Sequence, residues 1–558
     1  MSFILKNKVR IVTAASLFDG HDAAINIMRR ILQSKGAEII HLGHNRSVHE
    51  IVECAMEEDV QAIAITSYQG GHVEFFKYMK DLLVENGCGH IKIFGGGGGT
   101  ILPSEIEELH HYGISKIYSP DDGRKMGLEG MIEDLLSQSD FAVNNNLKIE
   151  GELKFEEIKD IRKIARAITL AENGEDYSIL LSAIKAQNKN TTAGRRETTP
   201  VLGITGTGGA GKSSITDEIV RRFLHTYADK TIAVISVDPS KKKTGGALLG
   251  DRIRMNSISS PRAYMRSLAT RESDKALSKY VQDALDICKA AGFDFIILES
   301  AGVGQSDASI LDYANISMYA MTPEYGAPSQ LEKINMLDYA DLICLNKFDK
   351  AGALDALHDI RKQYKRSHNL WAAKEEELPV IATIAAQFND AGINELFDRL
   401  MEKVAEKTGV KFNGEIVHHA HTLVTTSQAT IIPSKRVRYL AEIAETIVSY
   451  DNWVNQQAAI ASEYYQLEGA KKLLPDAAKY IADTAQQLIK KLSAENLELI
   501  YNWSLVESRY KKEFYEFTVR DKVIKQPLTF KSLTGTTISK VYLPTYKDWG
   551  DLLKWQLQ

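Results

Sequence analysis

The chain has 558 residues, 44% of them apolar and 25% charged, the composition of a globular protein with room for three to four domains at ~150 residues each. Lys+Arg 68 against Asp+Glu 73 leaves a net charge of −5, an even balance that argues against a nucleic acid or an anionic membrane as partner. Apolar runs fall short of the ~18 residues of a membrane helix, and the opening segment lacks a signal-peptide profile. Cys54, Cys88, Cys288 and Cys344 are far apart with no C-x-x-C pair, so core thiols in a reducing, cytoplasmic protein are expected.

Residues 1–140 alternate β-branched runs with helical patterns. Strands are expected at Val9–Ala14, Ala37–Leu42, Val60–Thr66, Ile91–Phe94 and Ile114–Tyr118, with helices at Ala23–Gln33, Val48–Glu57, His72–Glu85, Ser104–His110 and Gly127–Leu136. Five such units predict an α/β, flavodoxin-like, doubly wound parallel sheet of order 2-1-3-4-5. That order brings together the loops after strands 1, 3 and 4: Phe18–Asp22, Ser67–Gly71 and the five-glycine run Gly95–Gly99.

Cobalamin suits this trio. His21 is a good axial cobalt ligand, and Asp19, two residues earlier, accepts its other ring N–H and fixes the tautomer. Gly95, Gly96 and Gly97 clear space for a bulky nucleotide tail, and Ser67 offers it a hydroxyl. The residues resemble the D-x-H-x-x-G, S-x-L and GG signature of base-off cobalamin domains, although Ala24 replaces the last glycine and Ser67-Tyr68-Gln69 the S-x-L. A flavodoxin-like domain for another phosphate ligand, or a receiver-like module, is the alternative. For His41, His44, His49 and His72, near the same strand ends, solvent or a cofactor amide is expected as partner, and His110-His111 is expected to cap a helix.

Residues 141–198 read as a first linker. Asn144–Asn146 is polar, Phe155, Ile158, Ile161, Ile164, Ala165 and Ile168 are helically spaced, a short helix follows at Tyr177–Ala186, and Asn188–Thr199 reads as connector.

Residues 199–410 carry the strongest signal. Gly206–Ser213 fits G-x-x-x-x-G-K-[ST] between a buried strand (Pro200–Thr205) and a helix (Ser213–His225). Gly208, Gly209, Ala210 and Gly211 turn backbone N–H groups onto phosphates, Lys212 reaches the outer phosphates, and Ser213 offers a hydroxyl to Mg2+. A strand at Ile232–Val237 ends in Asp238, a Mg2+ candidate, and one at Phe293–Leu298 ends in Glu299-Ser-Ala-Gly302, a D-x-x-G switch with Glu for Asp. A third, Leu342–Leu345, runs into Asn346-Lys347-Phe348-Asp349. N-K-x-D reads guanine, because a carboxylate accepts from N1–H and the 2-amino group, donors that adenine lacks; GTP is therefore expected. A last strand is expected at Val380–Ile384, followed by Ala385-Ala386 as a base-contacting loop. The polar stretch between Asp238 and Arg271 reads as a mobile switch, in which Asp251 is a further Mg2+ candidate and Arg254 neutralises phosphate charge. Lys212, Glu299 and Arg254 form the expected catalytic set. Val303 stands where a water-orienting Gln would follow the switch glycine, and Gln305 is too displaced to assign, so intrinsic hydrolysis is expected to be slow.

Val234–Ser240, Glu299–Ser306 and the segment after the second switch resemble the metallochaperone-like G proteins that attend methylmalonyl-CoA mutase. The resemblance implies that Pro323–Lys333 acts as an additional switch.

In residues 411–558, long helices are expected at Ser434–Tyr450, Asn452–Leu474, Asp476–Leu492 and Ala494–Tyr515, bounded by Pro433 and Pro475. His418, His419 and His421 read as an exposed loop, and the aromatics from Val541 to Trp555 as an interface. A cobalamin domain ahead of such a GTPase with a helical linker behind is similar to the fused isobutyryl-CoA mutase family over essentially the whole chain. The resemblance implies adenosylcobalamin, GTP and Mg2+ as cofactors and an acyl-CoA substrate held by a barrel domain or partner chain, with Lys547–Asp551 leading toward that barrel. It further implies a homodimer, an adenosyltransferase as cofactor donor, and interconversion of isobutyryl-CoA and butyryl-CoA. A stand-alone cobalamin chaperone serving a separate mutase, or a cobalamin-binding signalling module, remains the alternative.

Overall fold

The computed structural model describes residues 4–143, 159–188, 199–271, 277, 280–302, 308–325, 328–414, 439–519 and 522–558. They fall into two compact units, residues 1–429 and 430–558.

The first unit contains two parallel sheets. The N-terminal sheet is built from β1 (Arg10–Ser16), β2 (Glu38–Arg46), β3 (Ala62–Thr66), β4 (Lys92–Gly96) and β5 (Lys116–Tyr118), alternating with α1 (Ala23–Ser34), α2 (Val48–Glu57), α3 (His72–Glu85), α4 (Pro103–Tyr112) and α5 (Pro120–Ser139). The order β5-β4-β3-β1-β2 is the expected one. β1 and β3 are buried throughout, as strands covered by helices on both faces must be, which is why they read as continuous apolar runs. α2 starts where its sequence says it should: Ser47 and Glu50 form a reciprocal capping box. α5 begins seven residues before the expected start and is broken at Gly127, whose φ is 66°.

Two helices follow, α6 (Ile161–Asn173) and α7 (Ser178–Asn188). Ile161, Ile164, Ala165 and Ile168 are buried as their spacing predicts; Phe155, Ile158 and Asn144–Asn146 lie outside the described residues. α6 buries charge as well: Arg166 forms a two-pronged pair with Asp59 at 2.8 and 3.0 Å, and Arg162 donates to the Asn86 carbonyl at 2.7 Å.

The second sheet comprises β6 (Val201–Gly206), β7 (Ile232–Asp238), β9 (Ala263–Ala269), β10 (Phe295–Glu299), β11 (Ile316–Met321), β12 (Leu342–Leu345) and β13 (Val380–Ala382), in the order β13-β12-β11-β6-β10-β7-β9. Its helices include α8 (Lys212–Thr226), α9 (Val281–Ala290), α11 (Ala353–Ser367) and α12 (Ala391–Thr408), with a single turn, α10 (Met336–Tyr339), between β11 and β12. The loops after β6, β7, β10 and β12 share the carboxyl edge of this sheet, where open α/β folds bind ligands.

The structure alters the reading of residues 238–271. A short strand, β8 (Ala247–Leu249), leaves the second sheet and pairs in parallel with β2, becoming the sixth strand of the N-terminal sheet. β9 was not visible in the pattern because Arg266, fully buried in its middle, reads as a surface residue; Glu172 meets it at 2.7 Å. β11, Ile-Ser-Met-Tyr-Ala-Met, lacks the β-branched run that marks its neighbours.

In the second unit, α13 (Tyr439–Leu473) continues through Asp451-Asn452, where two helices were expected. No glycine or proline stands at that junction or anywhere in the helix before Gly469, near its end. α14 (Ala478–Ile489) and α15 (Ala494–Tyr510) follow. Helix to Tyr515 is corrected: Phe514–Val519 (β14) and Lys522–Pro527 (β15) form an antiparallel hairpin, followed by a smaller one of β16 (Thr529–Lys531) and β17 (Thr537–Ser539). Lys547–Asp551 opens α16 (Trp549–Leu557), with Asp548 as its cap. Trp549 is not an exposed aromatic; it packs between Tyr464 and Tyr465, with ring centroids 5.1 and 5.4 Å away. Pro433, His418, His419 and His421 lie outside the described residues. Among the described residues no helix is long and apolar enough to cross a membrane.

Candidate functional site

Two sites emerge, one at the carboxyl edge of each sheet. In the first, the loop after β1 places Asp19 and His21 beside the loop after β3. The buried Asp19 carboxylate accepts from the Tyr68 N–H at 2.6 Å, the His21 N–H at 2.9 Å and the His21 ring at Nδ1, 2.8 Å away. Burial opposes its ionisation, but these donors hold it below its ordinary value. With Nδ1 so engaged, Nε2 of the exposed ring is the nitrogen left for a metal.

Beside this pair, between β3, β4, α1 and α5, lies a largely apolar cavity of about 220 Å³. Gly96 and Gly98 line it, and a Cβ at Gly96 would meet nothing closer than the Tyr118 carbonyl at 3.6 Å. Gly95 and Gly97 have a second reason to be glycine. A Cβ at Gly95 would sit 2.4 Å from the Phe76 ring, and one at Gly97 1.9 Å from the Ser67 carbonyl. The Ser67 hydroxyl accepts from Ser16 at 2.9 Å behind the wall. Thr66 lines the cavity instead, and its Oγ1 is buried and without a hydrogen-bond partner. Sequence reasoning missed it; its place as the last residue of β3 was the available signal.

In the second site, a cavity of about 410 Å³ is lined by Gly208, Gly209, Gly211, Lys212 and Ser213 from the loop after β6, with Asp238, Asp251, Glu299, Arg254 and Lys347 opposite. Ser213 Oγ lies 2.8 Å from Asp251 Oδ1 and 3.0 Å from Glu299 Oε1. Two further residues fix these carboxylates. Thr216, one helical turn beyond Lys212, donates to Glu299 Oε2 at 2.9 Å, and Ser236 donates to Asp251 Oδ2 at 2.8 Å. Burial first, then the other carboxylates, raises Asp238 to about 8; burial and Asp251 raise Glu299 to about 7. Crowded, desolvated carboxylates around a hydroxyl are groups that a divalent cation would relieve.

Gly302 abuts Lys212, whose Nζ is 3.3 Å from the Gly206 carbonyl. Arg254 is exposed at the cavity rim. Asn346 is not open to a ligand: its amide donates to the Ala210 carbonyl at 2.8 Å and accepts from the Ala385 N–H at 3.0 Å. It ties the phosphate loop to the loop after β13, while Asp349 is exposed. Val303 and Gln305 fall outside the described residues, as do two positions of Pro323–Lys333.

The family model described as methylmalonyl-CoA mutase-associated GTPase MeaB matches residues 164–435. A putative GTPase of Pyrococcus horikoshii is 32% identical over 52% of this chain and 88% of its own length. The chain belongs to the MeaB GTPase family. A B12-binding domain model matches residues 9–119, ahead of the GTPase. Two curated proteins called fused isobutyryl-CoA mutase match 99% of the chain: that of Geobacillus kaustophilus at 51% identity over 51% of its length, and that of Cupriavidus metallidurans at 49% over 50%. The chain thus spans about half the length of these relatives.

Within this MeaB-family protein, His41, His72 and His110 have structural roles. His41 Nδ1 meets the Thr13 hydroxyl at 2.9 Å, and His72 lies between Glu105 at 3.0 Å and the Gln69 carbonyl at 3.2 Å. His44 and His49 are exposed. His110 accepts the Ile117 N–H at 2.9 Å, binding the end of α4 to β5.

Proposed function

We propose that this protein is the cofactor-binding and GTP-hydrolysing portion of an adenosylcobalamin-dependent acyl-CoA mutase acting on isobutyryl-CoA and butyryl-CoA, with its GTPase gating cofactor loading. The observation that carries the reading is the Asp19–His21 pair beside an apolar cavity, on the same chain as a MeaB GTPase. The residues fit the cofactor. The cavity offers one orphaned hydroxyl, Thr66, for a buried tail, and the glycines of β4 leave its floor free of side chains.

His21 would hold cobalt through Nε2, with Asp19 fixing the ring and strengthening it as a ligand. When bound, adenosylcobalamin would supply the radical chemistry that a carbon-skeleton rearrangement needs. The acyl-CoA site belongs to a barrel outside these residues, on a longer chain or a partner subunit.

In the GTPase, Lys212 would neutralise the outer phosphates and Asp349 would read guanine. Ser213 and Asp251, with Asp238 and Glu299 beside them, would hold Mg2+, which supplies charge neutralisation at the phosphates. Among the described residues no three ligating side chains form a complete metal cage; Mg2+ generally keeps waters and phosphate oxygens and needs only one or two carboxylates. A homodimer, an adenosyltransferase donor and a cytoplasmic setting complete the proposal.

The test mixes the chain with a candidate barrel subunit, adenosylcobalamin and GTP, and follows isobutyryl-CoA by chromatography. Conversion to butyryl-CoA supports the mutase. Conversion that persists in the cobalamin-loaded subunit after the chain is removed supports a chaperone instead.

A further inference from the structure

Residues 247–254 belong to both sites. Ala247, Leu248 and Leu249 pair with Glu38, Ile39 and Ile40 of β2, closing the edge of the B12-binding sheet. The approach is close: a Cβ at Gly246 would fall 2.1 Å from the Gln33 carbonyl. The chain then turns through Gly250, and consecutive residues face opposite ways. Asp251 enters the phosphate cavity, where its two oxygens take the Ser213 and Ser236 hydroxyls. Arg252, 5% exposed, turns toward the carboxyl end of α2. It pairs with Glu57 there, lies 3.5 Å from Glu58 and donates to the Met265 carbonyl at 3.1 Å. Glu57 and Glu58 are themselves buried, at 1% and 0% exposure.

A buried guanidinium held by two buried carboxylates has little freedom, and removing one member leaves uncompensated charge. The peptide carrying Arg252 also carries Asp251, so the position of the carboxylate is inherited from the ion pair. We infer that Arg252 is a positioning residue for the GTPase: anchored on Glu57 and Glu58 of the B12-binding domain, it holds Asp251 against Ser213, so the cation site of one domain is built on carboxylates of the other. The inference rests on reading the phosphate cavity as a Mg2+·nucleotide site. It follows that any ligand displacing α2 or β2 alters Mg2+ affinity, and that Mg2+ alters the affinity for that ligand by the same factor.

The test uses the full chain and Mn2+ as probe, with GDP affinity measured by a fluorescent analogue in excess EDTA and Mn2+ affinity by electron paramagnetic resonance of the GDP complex. Arg252→Met is expected to weaken Mn2+ about tenfold or more, the usual cost of losing a ligand's support, while GDP binding in EDTA changes less than threefold. Glu57→Gln, in the other domain, is expected to weaken Mn2+ in the same direction. Should Arg252→Met fail to fold, the double variant with Glu57→Gln removes the buried unpaired charge and carries the measurement. Arg252→Lys serves if that fails too, because one ammonium cannot span all three acceptors. Folded variants with unchanged Mn2+ affinity overturn the inference. A wild-type chain whose GDP complex does not bind Mn2+, or whose affinity ignores Asp251→Asn, overturns the reading of the cavity itself.

Discussion

The Asp19 carboxylate lies 2.8 Å from His21 Nδ1 and also takes the Tyr68 N–H at 2.6 Å, so one side chain sets the ring's tautomer and locks the loop after β1 onto the loop after β3. His21→Ala is expected to abolish the absorption spectrum of histidine-ligated, base-off cobalamin; a spectrum identical to wild type removes the ligand assignment. Asp19→Ala should retain the ligated spectrum but weaken cobalamin about 10- to 100-fold, the scale of losing a ligand's supporting carboxylate.

Thr66 separates cofactor binding from folding. Its hydroxyl is buried with no partner, and an unmet buried hydroxyl costs about 1–3 kcal/mol. Thr66→Val keeps the shape and removes that cost, so the cobalamin-free protein should be equally stable or more stable by about 1 kcal/mol. Cobalamin affinity should fall about 3- to 10-fold, one neutral hydrogen bond's worth. Urea unfolding and cofactor titration of the same preparation decide it. Loss of stability with unchanged affinity would show that the hydroxyl serves the fold.

The strand order of the N-terminal sheet and the contents of the phosphate loop were legible because both follow local rules: alternating βα patterns and a motif whose glycines and lysine sit at fixed spacing. What the sequence hid depended on partners far away. Ala247–Leu249 is three unremarked residues in a polar stretch, and only β2 makes it a strand. Arg252 and Arg266 read as surface charges until Glu57, Glu58 and Glu172 surround them. Thr216 belongs to no motif, and Ser236 reads only as part of a resembling stretch; both matter through the carboxylates they orient. Asn346 shows the converse case, a motif residue whose side chain is spent on joining two loops.

That division of labour within Asn346–Asp349 is testable. Asp349 is exposed and is the residue proposed to read the base. Asp349→Asn should weaken GDP by about 2 kcal/mol, roughly 30-fold, the value of a charged hydrogen-bond acceptor, and raise relative affinity for xanthosine diphosphate, whose 2-oxo group accepts from an amide. Asn346→Ala should instead lower the stability of the GTPase, since it strands the Ala210 carbonyl and the Ala385 N–H. An Asp349→Asn protein that still prefers GDP over xanthosine diphosphate as wild type does would refute the assignment.

His41 makes the stability of the B12-binding domain depend on pH. Burial first, then the nearby Arg29, pushes its pKa down to about 4, from 6.5. Between these values the unfolded chain binds a proton that the folded domain does not, so stability rises with pH through this window and is complete above it. Between pH 7 and pH 5 the contribution lost is about 1 to 2 kcal/mol. His41→Gln, which keeps a group able to bond the Thr13 hydroxyl but cannot titrate, should flatten the pH dependence of urea unfolding by that amount over this range while leaving the slope above pH 7 unchanged. Equal pH dependence in the variant and the wild type would show that the ring titrates as freely in the folded domain as in the unfolded chain.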